Sequence, residues 1–165
     1  MIPSLTVVSN TSPLINLAQI GMLDLLQKLY GEIYVPDAVW QEVVVKGKGQ
    51  PGAAELIKFE WVRRQSVTNV QLVQALSQDL DAGEAEAIAL ALELKAGLLI
   101  MDERLGRQTA QHLGVNYTGI IGVLIEAKHQ GLISQLKPQL DALRIGAGFW
   151  IREEFYRRVL RDENE

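Results

Sequence analysis

The polar residues of this chain that sit where an apolar run ends are nearly all acids. Asn10 and Ser12 follow the run Leu5 to Ser9, and Asp102 closes the run Leu98 to Met101. Glu42 lies one turn into the segment after Ile33 to Val35, while Glu84 and Glu86 open the stretch that feeds the Asp102 run. Several carboxylates gathered in one cleft repel each other, and such a cluster persists only with protonation, arginine or a hard cation to compensate. Oxygen-only donors of this kind favour Mg²⁺ or Mn²⁺, which often serve phosphodiester chemistry. Other chemistries lack their residues. The chain has no cysteine, its only histidines are His112 and His129, and neither GxGxxG nor GxxxxGK[ST] occurs.

The elements that must position these acids follow from the pattern of apolar residues. Leu5–Ser9, Ile33–Val35 and Leu98–Met101 are short, β-branched or aliphatic runs that predict buried strands. Ser12 is a good N-cap with Pro13 behind it, predicting a helix through Leu14 and Leu17, and Leu23, Leu26 and Leu29 continue in a second. Pro36 and Asp37 open a helix carrying Val39, Trp40 and Val43, and Lys46 to Gly52 reads as a loop. A helix over 54–59 and a strand near 61–63 come next. The strongest helix spans Glu84 to Lys95, ended by Gly97, and another runs from about Leu105 to Leu113. Val115 to Tyr117 reads as a strand and Ile120 to His129 as a helix, with Ala142 and Leu143 inside a further one. A last helix covers about 150–161, and the tail after it is expected to fray. Strands alternating with helices predict a parallel sheet covered on both faces. In such sheets ligands bind beyond the carboxyl ends of the strands, where the acids stand.

Composition sets the remaining bounds. The 165 residues are 48% hydrophobic and 22% charged, which suits one domain, 1–165, with a hydrophobic core. The start, MIPSLTVVSNTSPL, lacks a leader pattern, and no apolar stretch approaches the roughly 20 residues of a membrane span, so a cytoplasmic protein without membrane contact is expected. The net charge of −4 means that nucleic acid could be held only by a local patch or through cations. Arg104 and Arg107 are candidates for phosphate contact, with salt bridging to the neighbouring acids as the alternative. Arg152, Arg157, Arg158 and Arg161 alternate with Glu153, Glu154 and Asp162, which reads as a solvated helix face. Trp40, Trp61 and Trp150 read as core or interface residues.

VVSNTSPLINLA, VPDAVWQEV, GEAEAIALALE and GLLIMDERLGR, in that order, resemble the PIN-domain family, in particular its toxin-like branch. The likeness runs over nearly the whole chain. It implies a three-layer α/β/α fold with a central parallel sheet, and a Mg²⁺- or Mn²⁺-dependent endoribonuclease, as in the toxins of toxin–antitoxin pairs. The site it implies comprises the position of Asn10 together with Glu42, Glu84 and Asp102; beside it, Ser12, Arg104 and Arg107 are read from their positions as substrate contacts. Glu86 competes with Glu84 but lies about 200° around a regular helix from it. The family's D-x-S pattern has aspartate where this chain has Asn10, and an amide brings no charge to a metal. That leaves two functions open: a weakened nuclease, or a degenerate PIN-like domain binding RNA or protein. RNA, an antitoxin-like protein and a second copy of the chain are the expected partners. The homodimer is expected because the leucines between Leu14 and Leu29 exceed one buried stripe.

Overall fold

The computed structural model describes residues 5–165; residues 1–4, the start of the segment read for a leader, lie outside the described residues. Five strands, β1 (Val7–Ser9), β2 (Ile33–Val35), β3 (Val62–Arg64), β4 (Leu98–Ile100) and β5 (Tyr117–Thr118), form an all-parallel sheet in the order β3-β2-β1-β4-β5. The helices are α1 (Thr11–Gln19), α2 (Leu25–Tyr30), α3 (Asp37–Trp40), α4 (Ala53–Lys58), α5 (Val70–Leu76), α6 (Ala82–Glu93), α7 (Arg104–His112), α8 (Ile120–His129), α9 (Lys137–Ile145) and α10 (Glu153–Asp162).

The period-2 alternation of a strand sorts the core into two layers. Val7, Ile33, Val35, Val62 and Ile100 pack into one cluster with residues of α1, α2, α8, α9 and α10, and Val8, Leu99 and Met101 pack into the other with α6 and α7. The result is the three-layer α/β/α arrangement. The chain order leaves β1 towards β2 and β3 on one side and towards β4 and β5 on the other, so the switch point lies at β1 and β4. Asn10 donates its N–H to Ile100 O at 2.9 Å, which fixes the end of β1 against the end of β4.

Local details differ from expectation in several places, and α5 was not expected at all. The first helix begins at Thr11, so Asn10 takes the N-cap position in extended conformation and Ser12 lies inside the first turn. Helix α3 passes into a π-helical turn over Gln41–Val45, whose wider winding carries Glu42. Helix α10 starts at Glu153 because Arg152 is still extended (φ −61°, ψ 136°). The tail after it docks: the Glu165 carboxylate accepts from Leu136 N–H (2.7 Å) and Lys137 N–H (3.0 Å) at the start of α9, and pairs with Lys128 Nζ at 2.7 Å. Those unpaired N–H groups at a helix start give the tail partners it would otherwise lack. Leu14, Leu17, Leu23, Leu25 and Leu26 are buried and Leu29 packs beside them, so the leucine surplus that suggested a dimer belongs to the core. Among the described residues no helix is long and apolar enough to cross a membrane.

Candidate functional site

A cleft of about 210 Å³ opens at the carboxyl ends of β1 and β4, lined by Asn10, Thr11, Ser12, Ile15, Asn16, Glu42, Asp81 and Glu103. Its polar side chains arrive from several elements, with Thr11, Ser12 and Asn16 all from α1. Asn10 comes from the turn after β1 and is buried, with its Oδ1 lacking any hydrogen-bond partner. Ser12 Oγ is likewise buried and unpartnered. Glu42 comes from the π turn, and Thr11 Oγ1 donates to its Oε2 at 2.6 Å. Its other oxygen lies against the first turn of α6, where a Cβ on Gly83 would stand 2.8 Å from Oε1. A glycine there lets the carboxylate approach the positive end of the helix.

Glu84 lies behind this cleft and does not line it. It forms a capping box with Asp81: Glu84 N–H donates to Asp81 Oδ1 at 2.8 Å, and Asp81 N–H to Glu84 Oε1 at 3.4 Å. Burial, and then the neighbouring Asp81 and Glu103, push the Glu84 carboxyl up to about 7. Glu86 faces elsewhere and accepts the Ala38 N–H at 3.0 Å, helping to satisfy the start of α3.

Asp102 does not enter the acidic cleft. It shares the strand parity of Ile100 and therefore turns to the α8 side, where its carboxylate accepts the Ile120 N–H at 3.1 and 3.3 Å. A Cβ on Gly119 would fall 2.3 Å from Asp102 Oδ1 and 2.8 Å from Arg107 Nη2, so the approach requires glycine. Burial raises the Asp102 carboxyl above its ordinary value, while the Ile120 N–H and Arg107 draw it back down. Arg107 is half-buried, with its guanidinium 5.1 Å from the Tyr117 ring centre, and Arg104 is exposed at the start of α7 and lines neither cavity described here.

The expected residues therefore divide. Asn10, Ser12 and Glu42 share the cleft, Glu84 backs it, and Asp102 with Arg107 faces a neighbouring groove. Among the described residues no three histidine or acidic side chains are gathered closely enough to hold one ion as they stand. Asp81 and Glu103 were not picked out from the sequence as site residues. Alternation along the chain is the signal that would find Glu103, since the residue after Asp102 faces the opposite side, whereas Asp81 is the N-cap of α6, a place where an acid is common without any site.

The groove beyond Asp102 is a cavity of about 770 Å³ between α8, the 149–152 segment and α10, and the exposed Arg152, Arg158 and Arg161 line it. Trp150, expected in a core or interface, is outside the core of the chain, 77% exposed at the groove's edge.

A family model described as a PIN domain matches residues 6–165. No curated protein matched the sequence. The parallel five-stranded sheet, the acids at its carboxyl edge and a match spanning nearly the whole length agree: the chain belongs to the PIN-domain family.

Proposed function

We propose that this chain is an RNA-cleaving domain that depends on Mg²⁺ or Mn²⁺ and is weakened by the neutral Asn10 at the base of its cleft. The observation that carries this reading is the buried, unpartnered Asn10 Oδ1 in the same cleft as the Glu42 carboxylate. A buried acceptor without a partner costs free energy, and a cation would satisfy it. The donor set suits an ion that keeps most of its water and needs only one or two carboxylates, as Mg²⁺ does. Asn10 and Glu42 would hold it directly, with Asp81 and Glu103 adding negative charge around it. When bound, the ion supplies activation of water and offsets charge on the phosphate.

The chain's own groups have distinct tasks in this reading. Thr11 orients the Glu42 carboxylate. Glu84, with its carboxyl near 7, keeps a proton over part of the neutral range and so limits repulsion around the cleft whenever no cation is bound. Asp102 anchors the start of α8, with Arg107 beside it in the neighbouring groove. A role as the toxin of a toxin–antitoxin pair, in the cytoplasm, rests on the sequence resemblance of GEAEAIALALE and its companions.

A second reading has its own support. The missing charge at Asn10 and the absence of a three-acid group among the described residues favour a domain that binds RNA without cutting it. Incubation of a fluorescent single-stranded RNA with the protein in Mn²⁺ separates the two. Slow cleavage that disappears in Glu42→Gln and rises in Asn10→Asp supports the nuclease. RNA binding without cleavage, even in Asn10→Asp, establishes the binding domain instead.

A further inference from the structure

The geometry points to the groove between α8 and α10 as the path of a single RNA strand, with arginines holding phosphates and Trp150 stacking a base, leading to the acidic cleft. The last clause rests on the function proposed above; the groove as a binding surface does not. Four arginines (Arg107, Arg152, Arg158 and Arg161) line it against two carboxylates, Asp102 and Glu154, in a chain whose net charge is −4. The local charge thus runs opposite to the whole molecule's.

These arginines are also available. Arg144 and Arg157 nearby are both paired with Glu153, at 2.8 and 3.1 Å. Among the described residues Arg152, Arg158 and Arg161 make no ion pair, and Arg107 Nε is buried with no hydrogen-bond partner. Phe155, Arg158 and Arg161 recur at three-residue steps along α10 and share one face. Arg158 lies 5.4 Å from the centre of the Phe155 ring. Helix α10 therefore keeps a self-neutralised face around Glu153 and a basic, aromatic face towards the groove.

Exposed aromatic rings interleaved with unpaired arginines are the usual means of holding single strands: rings stack bases, and planar guanidinium groups meet phosphates in bidentate fashion. Trp150 is 77% exposed, a ring presented at a rim and not inserted into a pocket. An acidic peptide would meet the same arginines, but the exposed ring beside them favours a strand that carries bases to stack. Asp102 lines the groove and Glu103 lines the acidic cleft, so both cavities open at the carboxyl edge of the sheet, one on either side of the segment that follows β4.

The test is fluorescence anisotropy of a fluorescein-labelled oligouridine with the full chain in EDTA, so that no cleavage occurs. The wild type should bind with salt-dependent affinity. Arg158→Glu/Arg161→Glu should weaken binding at least about tenfold and make the salt slope shallower by about 1.4, two phosphate contacts being lost. Trp150→Ala should weaken binding by about fivefold or more while Trp150→Phe retains most of it. All these positions are at the surface, and circular dichroism confirms that each variant is folded. RNA binding equal to wild type in the folded variants overturns the groove as the path and leaves the cleft reading standing. So does tighter binding of a polyglutamate peptide than of RNA, or equal binding of duplex and single strand. Glu42→Gln separates the two ideas: it should abolish cleavage of the same RNA yet leave binding in EDTA unchanged.

Discussion

Thr11 Oγ1 and Glu42 Oε2 are joined by a 2.6 Å hydrogen bond across 31 positions of sequence, tying the first turn after β1 to the π turn that follows α3. The hydroxyl selects one orientation of the carboxylate while Gly83 leaves room for it on the other side. Thr11→Val keeps the shape and removes the donor. Loss of a hydrogen bond to a charged acceptor in a partly buried site is expected to cost about 1–3 kcal/mol in urea denaturation. Thr11→Ser should recover most of it. If both substitutions are neutral, the bond contributes nothing to the cleft.

Asn10→Asp should act in opposite directions with and without a cation. The residue is 3% exposed and has no partner for Oδ1, and a carboxylate there joins Glu42, Asp81 and Glu103 around the same cleft. In EDTA the new charge is uncompensated, and a loss on the order of 3 kcal/mol is expected. With Mn²⁺ in excess of its Kd, binding to the folded state alone returns stability by mass action. Thermal melts in the two buffers read this directly: a lower Tm than wild type in EDTA and a larger upward shift with Mn²⁺. An equal Mn²⁺ shift in both proteins would mean that position 10 does not face the ion.

Glu84 makes stability without metal depend on pH. Its carboxyl lies at about 7 in the folded protein against an ordinary 4.5, so between those values the folded state holds a proton that the unfolded chain has released. Stability contributed by this group is therefore greatest at the acid end, falls as pH rises through the window, and levels off above about 7. Glu84→Gln keeps an oxygen for the Asp81 N–H and should flatten the slope while raising Tm at the alkaline end. Melts in EDTA across this range check it, and an unchanged slope in the variant would assign the pH dependence to other groups.

The sequence disclosed the sheet better than the cleft, for reasons visible in single elements. Ile33–Val35 and Ile120–His129 occupy the spans expected of them because their buried positions, Ile33 and Val35 in the strand and Ile120, Val123, Leu124 and Ala127 in the helix, follow the two periods closely. Helix α5 has no buried residue and is held by packing on α6, so its own segment carried little signal. The π turn has no sequence mark in VPDAVWQEV, yet it determines where Glu42 points. Acid positions were legible, but their directions were not. Asp102 and Glu103 differ by one residue and face different cavities because strand parity sends alternate side chains to opposite faces. For Trp150 the sequence left core and interface open, because nothing in FWIREEF tells a core residue from a rim residue; the ring is 77% exposed.

Gly119→Ala should be the most disruptive single methyl at the carboxyl edge of the sheet. Gly119 is extended (φ −108°), so alanine suffers no backbone penalty, and the whole effect comes from space. The added Cβ would stand 2.3 Å from Asp102 Oδ1 and 2.8 Å from Arg107 Nη2, and neither can retreat without loss. Asp102 would give up the Ile120 N–H, leaving the start of α8 short of an acceptor, and Arg107 would lose its place over Tyr117. Overpacking of this kind typically costs about 1–3 kcal/mol, and the lost bond to a charged acceptor adds to it. Asp102→Asn provides the comparison: its amide oxygen still accepts the Ile120 N–H, so it should cost less than Gly119→Ala. A double variant with Asp102→Ala separates the causes, since the smaller side chain vacates the space the new methyl needs. The two losses should then be less than additive by more than about 0.5 kcal/mol. Additive losses in urea denaturation would show that the methyl is accommodated elsewhere and that the tight approach of Asp102 to Gly119 does not govern the edge of the sheet.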